Sequence, residues 1–253
     1  MKRRNHPAGN PSYQNEGTIW ELASAGSKSI WSKILAYGHH GNTGTGKGKL
    51  KRERERFAPM DSLKQCTLKG DIKTLQDLVN EDGQILDRVL EDWEETPLHI
   101  AARMGHVEFA RLVLQLKPEF SAVKDQNGLY PLHVASAHGD AEIAREILRK
   151  VGENRMTMDV NSLCLLKDKD GKNPLHIAAL RGSREVAEVI LAANPSCLQD
   201  VTTQEETVLH LTVCNNRVEL LKYFLGKKDI RSLVNRKDCH ANWRRSREEI
   251  KNR

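Results

Sequence analysis

The sequence has no long apolar run. No stretch approaches the roughly 20 residues of a membrane-spanning helix, and the N-terminal MKRRNHPAGN is followed by no apolar core of the kind a secretory signal carries. The expectation is a chain that neither crosses a bilayer nor enters the secretory route. The cysteines form no framework either: Cys66, Cys164, Cys197, Cys214 and Cys239 are odd in number, scattered, and contain no C-x-x-C pair. That pattern excludes a disulfide scaffold and a cysteine-ligated zinc site, and it fits a reducing, cytoplasmic compartment. Aromatic residues make up 5% of the 253 residues and hydrophobic residues 38%, which is lean for one filled core of that length. Part of the chain is therefore expected outside the packed region.

What is plentiful is charge, and it is divided by segment. Residues 1–59 carry eleven Lys and Arg against four acids, residues 60–226 carry nineteen against twenty-six, and residues 227–253 carry ten against four. An acidic middle thus lies between two basic arms, and the overall net charge of +6 hides this. The first arm contains a glycine-rich stretch, GHHGNTGTGKGKL at 38–50, which reads G-x-x-x-x-G-K from Gly41 to Lys47. A phosphate-cradling loop also needs a buried strand leading in, a packed helix leading out, and a hydroxyl after the lysine for Mg²⁺. Only Ile34–Tyr37 precedes it, no apolar residue stands between Leu50 and Phe57, and the hydroxyl position is Gly48. The stretch reads as a basic linker, and no ATP binding or turnover is expected of it. KLKRERERF at 49–57 reads as a solvated charge run, with nuclear import or nucleic-acid contact as its alternative. Ile30, Trp31, Ile34 and Leu35 mark a short local apolar cluster, and Met60 stands where an upstream extension would meet the repeats.

A repeat governs the middle. TPLHIAARMGHVEFARLVLQL from Thr96 returns as YPLHVASAHGDAEIAREILRK from Tyr130, NPLHIAALRGSREVAEVILAA from Asn173 and TVLHLTVCNNRVELLKYFLGK from Thr207. Its histidines, His99, His133, His176 and His210, are spaced by 34, 43 and 34 residues, so one unit carries extra chain, placed within 150–166. A fainter copy from Asp61 keeps Leu63, Gly70 and Asp71 and reads as a terminal cap. Each unit makes local physical sense. Pro97, Pro131 and Pro174 suit a first helical turn, which can spare an N–H, and Gly105, Gly139 and Gly182 suit a left-handed helix end. Val107, Phe109, Leu112 and Val113, with Ile143, Ile147 and Leu148 in the next copy, repeat at helical spacing. One unit alone cannot bury that face; stacked units can.

These units resemble the ankyrin repeat, about 33 residues with a T-P-L-H-x-A signature and two short helices. The resemblance implies an all-α solenoid over residues 60–238, about five repeats with the first a cap, between a basic arm at 1–59 and a basic tail at 239–253. LKGDIKTLQDLV, DKDGKNPLHIAA and the NRKD-x-HAN phrase at 235–242 further resemble plant ankyrin proteins that carry a C-terminal multi-pass PGG domain and act in immune and stress signalling at membranes. In that family the last phrase runs on into another repeat. Here it continues as WRRSREEIKNR, and a truncated or processed product without the membrane part is expected.

The resemblance implies a non-catalytic scaffold for protein partners, with no cofactor, metal or small-molecule substrate. The histidines recur one repeat apart and cannot converge on one ion, so their expected role is structural, each bonding the loop beside its helix pair. Thr96 and Thr207 are the local partners, a bond left in question where Tyr130 and Asn173 replace them. Asp159, Asp168 and Asp170 read as a solvated turn. The partner surface is expected at the positions each repeat leaves free: Glu95, Arg103 and Met104; Leu129, Ala137 and His138; Lys172, Leu180 and Arg181; Glu206, Cys214 and Asn215. Attachment to nucleic acid or an anionic membrane through the basic arms is the second reading. In the last unit Val218, Leu221, Phe224 and Leu225 form an apolar face, after which a charged tail with Trp243 follows. That face is expected to fray, to self-associate, or to be covered by a partner.

Overall fold

A histidine at a fixed offset marks the start of each of the inner helices from Thr96 onward, with a proline before it in all but the last, and the structure builds outward from there. A computed structural model describes residues 59–153, 158–227 and 230, all within the unit Glu55–Arg253. The glycine-rich stretch, the arm at 1–58, Trp243 and the tail lie outside the described residues. Among those described there is no strand. The helices are α1 (59–69), α2 (Ile72–Glu81), α3 (Ile85–Asp92), α4 (Pro97–Met104), α5 (Val107–Leu116), α6 (Pro131–His138), α7 (Ala141–Glu153), α8 (Val160–Leu165), α9 (Pro174–Arg181), α10 (Arg184–Ala193), α11 (Val208–Cys214) and α12 (Val218–Leu225). Two 3₁₀ turns, Pro118–Ala122 and Pro195–Gln199, follow α5 and α10.

Inner helices α4, α6, α9 and α11 stack side by side, and outer helices α2, α5, α7, α10 and α12 form a second layer behind them. This is an all-α solenoid of helix-turn-helix units. Prolines occupy the first turn of α4, α6 and α9, and a left-handed glycine ends each of them. The turn glycines also leave room for the next unit. A Cβ on Gly70, at φ 68°, would stand 2.7 Å from the His106 ring, and one on Gly182, at φ 82°, would stand 2.7 Å from the Arg217 side chain. At the last unit Asn216 takes the left-handed conformation instead, with φ 54°, a position asparagine tolerates better than most residues.

The core is continuous and lies between the two layers. Leu98, Leu132, Leu175 and Leu209 enter it from the inner helices, and Phe109, Ile143, Ile147, Val186 and Ile190 from the outer ones. Burying each such side chain stabilises by about 1.5–3 kcal/mol. Phe109 and Val113 are buried, whereas Val107 and Leu112 are only half-buried and pack at the rim.

Two features depart from a two-helix unit. Each of α2, α5, α7 and α10 is followed by a short third element that plugs the core: α3 with Ile85, Leu86 and Val89, the first 3₁₀ turn with Phe120, α8 with Leu163 and Cys164, and the second 3₁₀ turn with Cys197 and Leu198. The extra chain at 150–166 is accordingly not a plain loop. It lengthens α7 to 13 residues, against 10 in α5 and α10, and then forms α8, which packs on α7, α9 and α10. At the far end the expected outward apolar face of α12 is corrected. Phe224 is fully buried, together with Leu220, and Ile230 joins the same core. Val218 and Leu225 remain about half exposed.

Candidate partner-binding strip

The polar scaffold that holds the inner helices is built from the four histidines. The His99 Nδ1 lies 3.2 Å from the Thr96 amide and 2.8 Å from its hydroxyl, and its Nε2 lies 3.0 Å from the Leu129 carbonyl of the next unit. The backbone amide can only donate, so Nδ1 accepts and Nε2 carries the proton across to the neighbour. His133 repeats the crossing to the Lys172 carbonyl at 3.0 Å, but its Nδ1 has no hydrogen-bond partner. Tyr130 offers no side-chain cap and instead stacks on the ring at 5.6 Å. His210 is held through Nδ1 by the Thr207 amide at 3.1 Å and hydroxyl at 2.9 Å.

Asn173, whose bond was in question, replaces threonine fully as a cap. Its Oδ1 accepts from the His176 amide at 3.0 Å and sits 2.7 Å from the His176 Nδ1, while its Nδ2 donates to Asp200 at 3.1 Å. The His176 Nε2 is left without a hydrogen-bond partner. Burial pushes the proton affinities of His99 and His133 below the ordinary value and that of His176 down to about 4. The rings are neutral at neutral pH.

Loop tips are tied to one another in series. Asp125 Oδ1 accepts the amides of Asn127 and Leu129 at 2.9 and 2.8 Å, and Asp168 Oδ1 accepts those of Asp170 and Lys172 at the same distances. The Gln126 amide reaches back to the Glu94 carbonyl at 2.9 Å, and the Thr203 amide to that of Asp170 at 3.1 Å. Asp159 is the N-cap of α8, bonding the Ser162 amide. These aspartates shape turns, and among the described residues no group of three or more His, Cys, Asp or Glu is placed to hold a metal ion. Two buried thiols are equally committed: burial raises Cys66 to about 11, and the neighbouring Cys164 thiol together with burial raises Cys197. A thiol held protonated is a poor nucleophile.

The twelve strip positions fall into two classes. Arg103, Met104, His138, Arg181, Cys214 and Asn215, at the ends of the inner helices, are exposed, while Glu95, Leu129, Ala137, Lys172, Leu180 and Glu206 are half-buried. Much of the second class supports the scaffold. Glu95 pairs with Arg103, Lys172 pairs with Asp170 at 2.6 Å, and the carbonyls of Leu129, Lys172 and Leu180 accept from His99, His133 and Arg217. The Glu206 carbonyl accepts from the Thr202 amide at 3.0 Å, and Asn215 Nδ2 donates to the Leu211 carbonyl at 2.8 Å. Arg103 stands at the repeat position of Ala137 and Leu180, and Met104 at that of His138 and Arg181. The stacking of α4, α6, α9 and α11 sets these helix ends in series.

A family model described as ankyrin repeats, three copies long, matches residues 63–159 and again 158–238. The chain belongs to the ankyrin-repeat family. Ankyrin repeats are protein–protein interaction modules, and this stack of three PLH units and one VLH unit with a leading cap is one of them. The match covers the ankyrin repeats and extends to no PGG domain. No curated protein matches the chain. Among the described residues no helix is long and apolar enough to cross a membrane.

Proposed function

We propose that this ankyrin-repeat chain is a non-catalytic scaffold that holds a protein partner along the inner-helix ends and loop tips, from Glu95 to Asn215. The observation that carries this reading is the serial stacking of α4, α6, α9 and α11, whose exposed ends lie side by side on a backbone whose tips are cross-tied. A rigid strip loses little conformational entropy on binding. The reading takes residues 60–238 as the repeat domain and the flanking segments as basic arms. To test it, peptides are selected from a random display library on the full chain, then measured against Ala137→Arg and Leu180→Arg, which add bulk on the strip. Loss of binding supports the strip, and undiminished binding contradicts it.

The basic arms support a second reading, attachment to nucleic acid or an anionic membrane, because phosphate contacts need Lys and Arg in clusters. Nucleic acid retention that falls steeply between 50 and 200 mM salt and vanishes without residues 1–59 would favour it. The phrases LKGDIKTLQDLV and DKDGKNPLHIAA support a narrower reading, a scaffold in plant immune or stress signalling. Unchanged defence output after removal of the protein from a plant host would count against that.

A further inference from the structure

We infer that the last unit is hinged: residues 206–226 open from the stack as one piece, with Glu205 as the pivot and Arg217 as the latch. The inference stands on the joint itself and does not need the strip reading.

Three tip loops compare position by position. Residues 125–129, 168–172 and 202–206 are each closed by a bond from the first amide to the fifth carbonyl, at 2.8, 2.9 and 3.0 Å. The fourth residue is left-handed in all three: Gly128 at φ 80°, Gly171 at φ 73° and Glu205 at φ 58°. Glycine takes that conformation freely. A glutamate there brings its Cβ against a carbonyl oxygen, and it lacks the short polar side chain that lets asparagine or aspartate visit the region. Among the described residues, the non-glycine residues with positive φ are Glu205 and Asn216, and both fall in the last unit or its entry loop.

The other fastenings are thinned at the same place. In the two earlier loops an aspartate Oδ1 accepts the third and fifth amides at 2.9 and 2.8 Å. In the last loop Thr202 Oγ1 accepts those of Gln204 and Glu206 at 3.2 Å each. A neutral hydroxyl at the longer distance is the weaker acceptor. The fifth carbonyl also receives a histidine from the unit before, Leu129 from His99 and Lys172 from His133. His176 Nε2 makes no such bond to Glu206. Val208 stands where α4, α6 and α9 have proline, so the first turn of α11 is not preset.

Anchors lie on both sides of the pivot. Before it, the Thr203 amide and hydroxyl donate to the Asp170 carbonyl at 3.1 and 2.8 Å, and Lys167 Nζ donates to the Val201 carbonyl at 2.9 Å. These bonds fix 201–203 to the preceding unit. Beyond it, the exposed Arg217 reaches across with Nε to the Leu180 carbonyl at 3.0 Å, and the Arg184 guanidinium lies 5.3 Å over the Tyr223 ring. Packing of α11 on α9 and of α12 on α10 keeps the closed form dominant. A strained residue between a fixed segment and a unit latched at its surface absorbs the backbone change of a hinge, and the unit beyond it opens cooperatively. Opening carries Glu206, Cys214 and Asn215 with it. The strip is then fixed through Arg181 and adjustable at its last three positions.

The test is native-state hydrogen exchange of the full chain in urea below the global transition, read at α11 and α12 against α6 and α7. The two helices of the last unit should share one opening and one urea dependence, and exchange ahead of α6 and α7. Glu205→Gly should slow them about fivefold by relieving the closed form, a gain that misfolding cannot produce. Arg217→Met should hasten both helices together about threefold and leave α6 and α7 unchanged. Graded loss from residue 226 inward, or a common opening indifferent to Glu205→Gly, overturns the inference. Exchange of α11 and α12 no faster than that of α6 and α7 overturns it as well.

Discussion

The second and fourth units begin with the same six residues, PLHIAA at Pro97 and at Pro174, yet their histidines end in different bonds. His99 relays from Thr96 to the Leu129 carbonyl of the next unit. His176 bonds the Asn173 oxygen at 2.7 Å and stops, with Nε2 unpaired. The cap decides the difference. A threonine hydroxyl can donate to Nδ1 and leave the proton on Nε2, whereas an amide oxygen can only accept, and its NH₂ is already turned to Asp200. The Asn173 backbone amide meanwhile donates to Nδ1 at 3.2 Å, so this nitrogen lies between a donor and an acceptor and the joint closes on its own cap. Identical motifs give a cross-tied joint in one place and a locally closed one in the other.

The largest effect expected tests what both joints share. Leu132, fully buried between them, should cost about 2–5 kcal/mol as Leu132→Ala through the cavity it leaves, measured by urea unfolding. A cost under 1 kcal/mol would mean that the inner helices are not stacked as described.

Acid should separate the two joints next. The folded-state affinity of His176 is lowered to about 4 from 6.5, so the unfolded chain binds the proton more readily. Stability from this residue is complete above about pH 6.5 and is lost as pH falls toward 4, by up to about 3 kcal/mol. His176→Gln should flatten the stability curve in that window. An unchanged slope would contradict a buried neutral ring.

The caps give a smaller contrast. Asn173→Ala should cost about 1–2 kcal/mol because it removes a cap with its hydrogen bonds, and Tyr130→Ala, which removes none, should cost less than about 1 kcal/mol. Equal costs would contradict the assignment. Ring ¹⁵N shifts sharpen the same point without mutation: His99 should appear as the Nε2–H tautomer. The smallest effect belongs to the surface. Arg103→Glu with Arg181→Glu should change stability by only about half a kcal/mol, and unfolding of the variant would show that the strip is not an exposed face.

The repeat itself, its prolines, its helix-ending glycines and most of its core were legible in the sequence because each follows from local geometry at fixed offsets. The third element of each unit was not. Phe120 and Cys197 sit in short segments with no helical period, and Ile85 in a short helix outside the repeated signature, and only the packed neighbours show what they plug. Asn173 was under-read for the same reason: its value depends on Asp200, 27 residues away. Phe224 was assigned outward from spacing alone, yet Leu220 and Phe224, four apart, set the true inward face of α12. Strip residues were legible as exposed positions at the helix ends. The half-buried members were less so, since their burial comes from ties to neighbouring units such as the Arg217 bond to the Leu180 carbonyl at 3.0 Å.

The central claim is that a protein partner lies along the strip, and amide hydrogen exchange of the full chain with and without a display-selected peptide tests it most directly. The account predicts slowed exchange at the inner-helix ends and adjoining turns, around 103–106, 137–140, 180–183 and 214–217, with α5, α7 and α10 unchanged. Protection confined to those outer helices, or to residues 1–59, would contradict it.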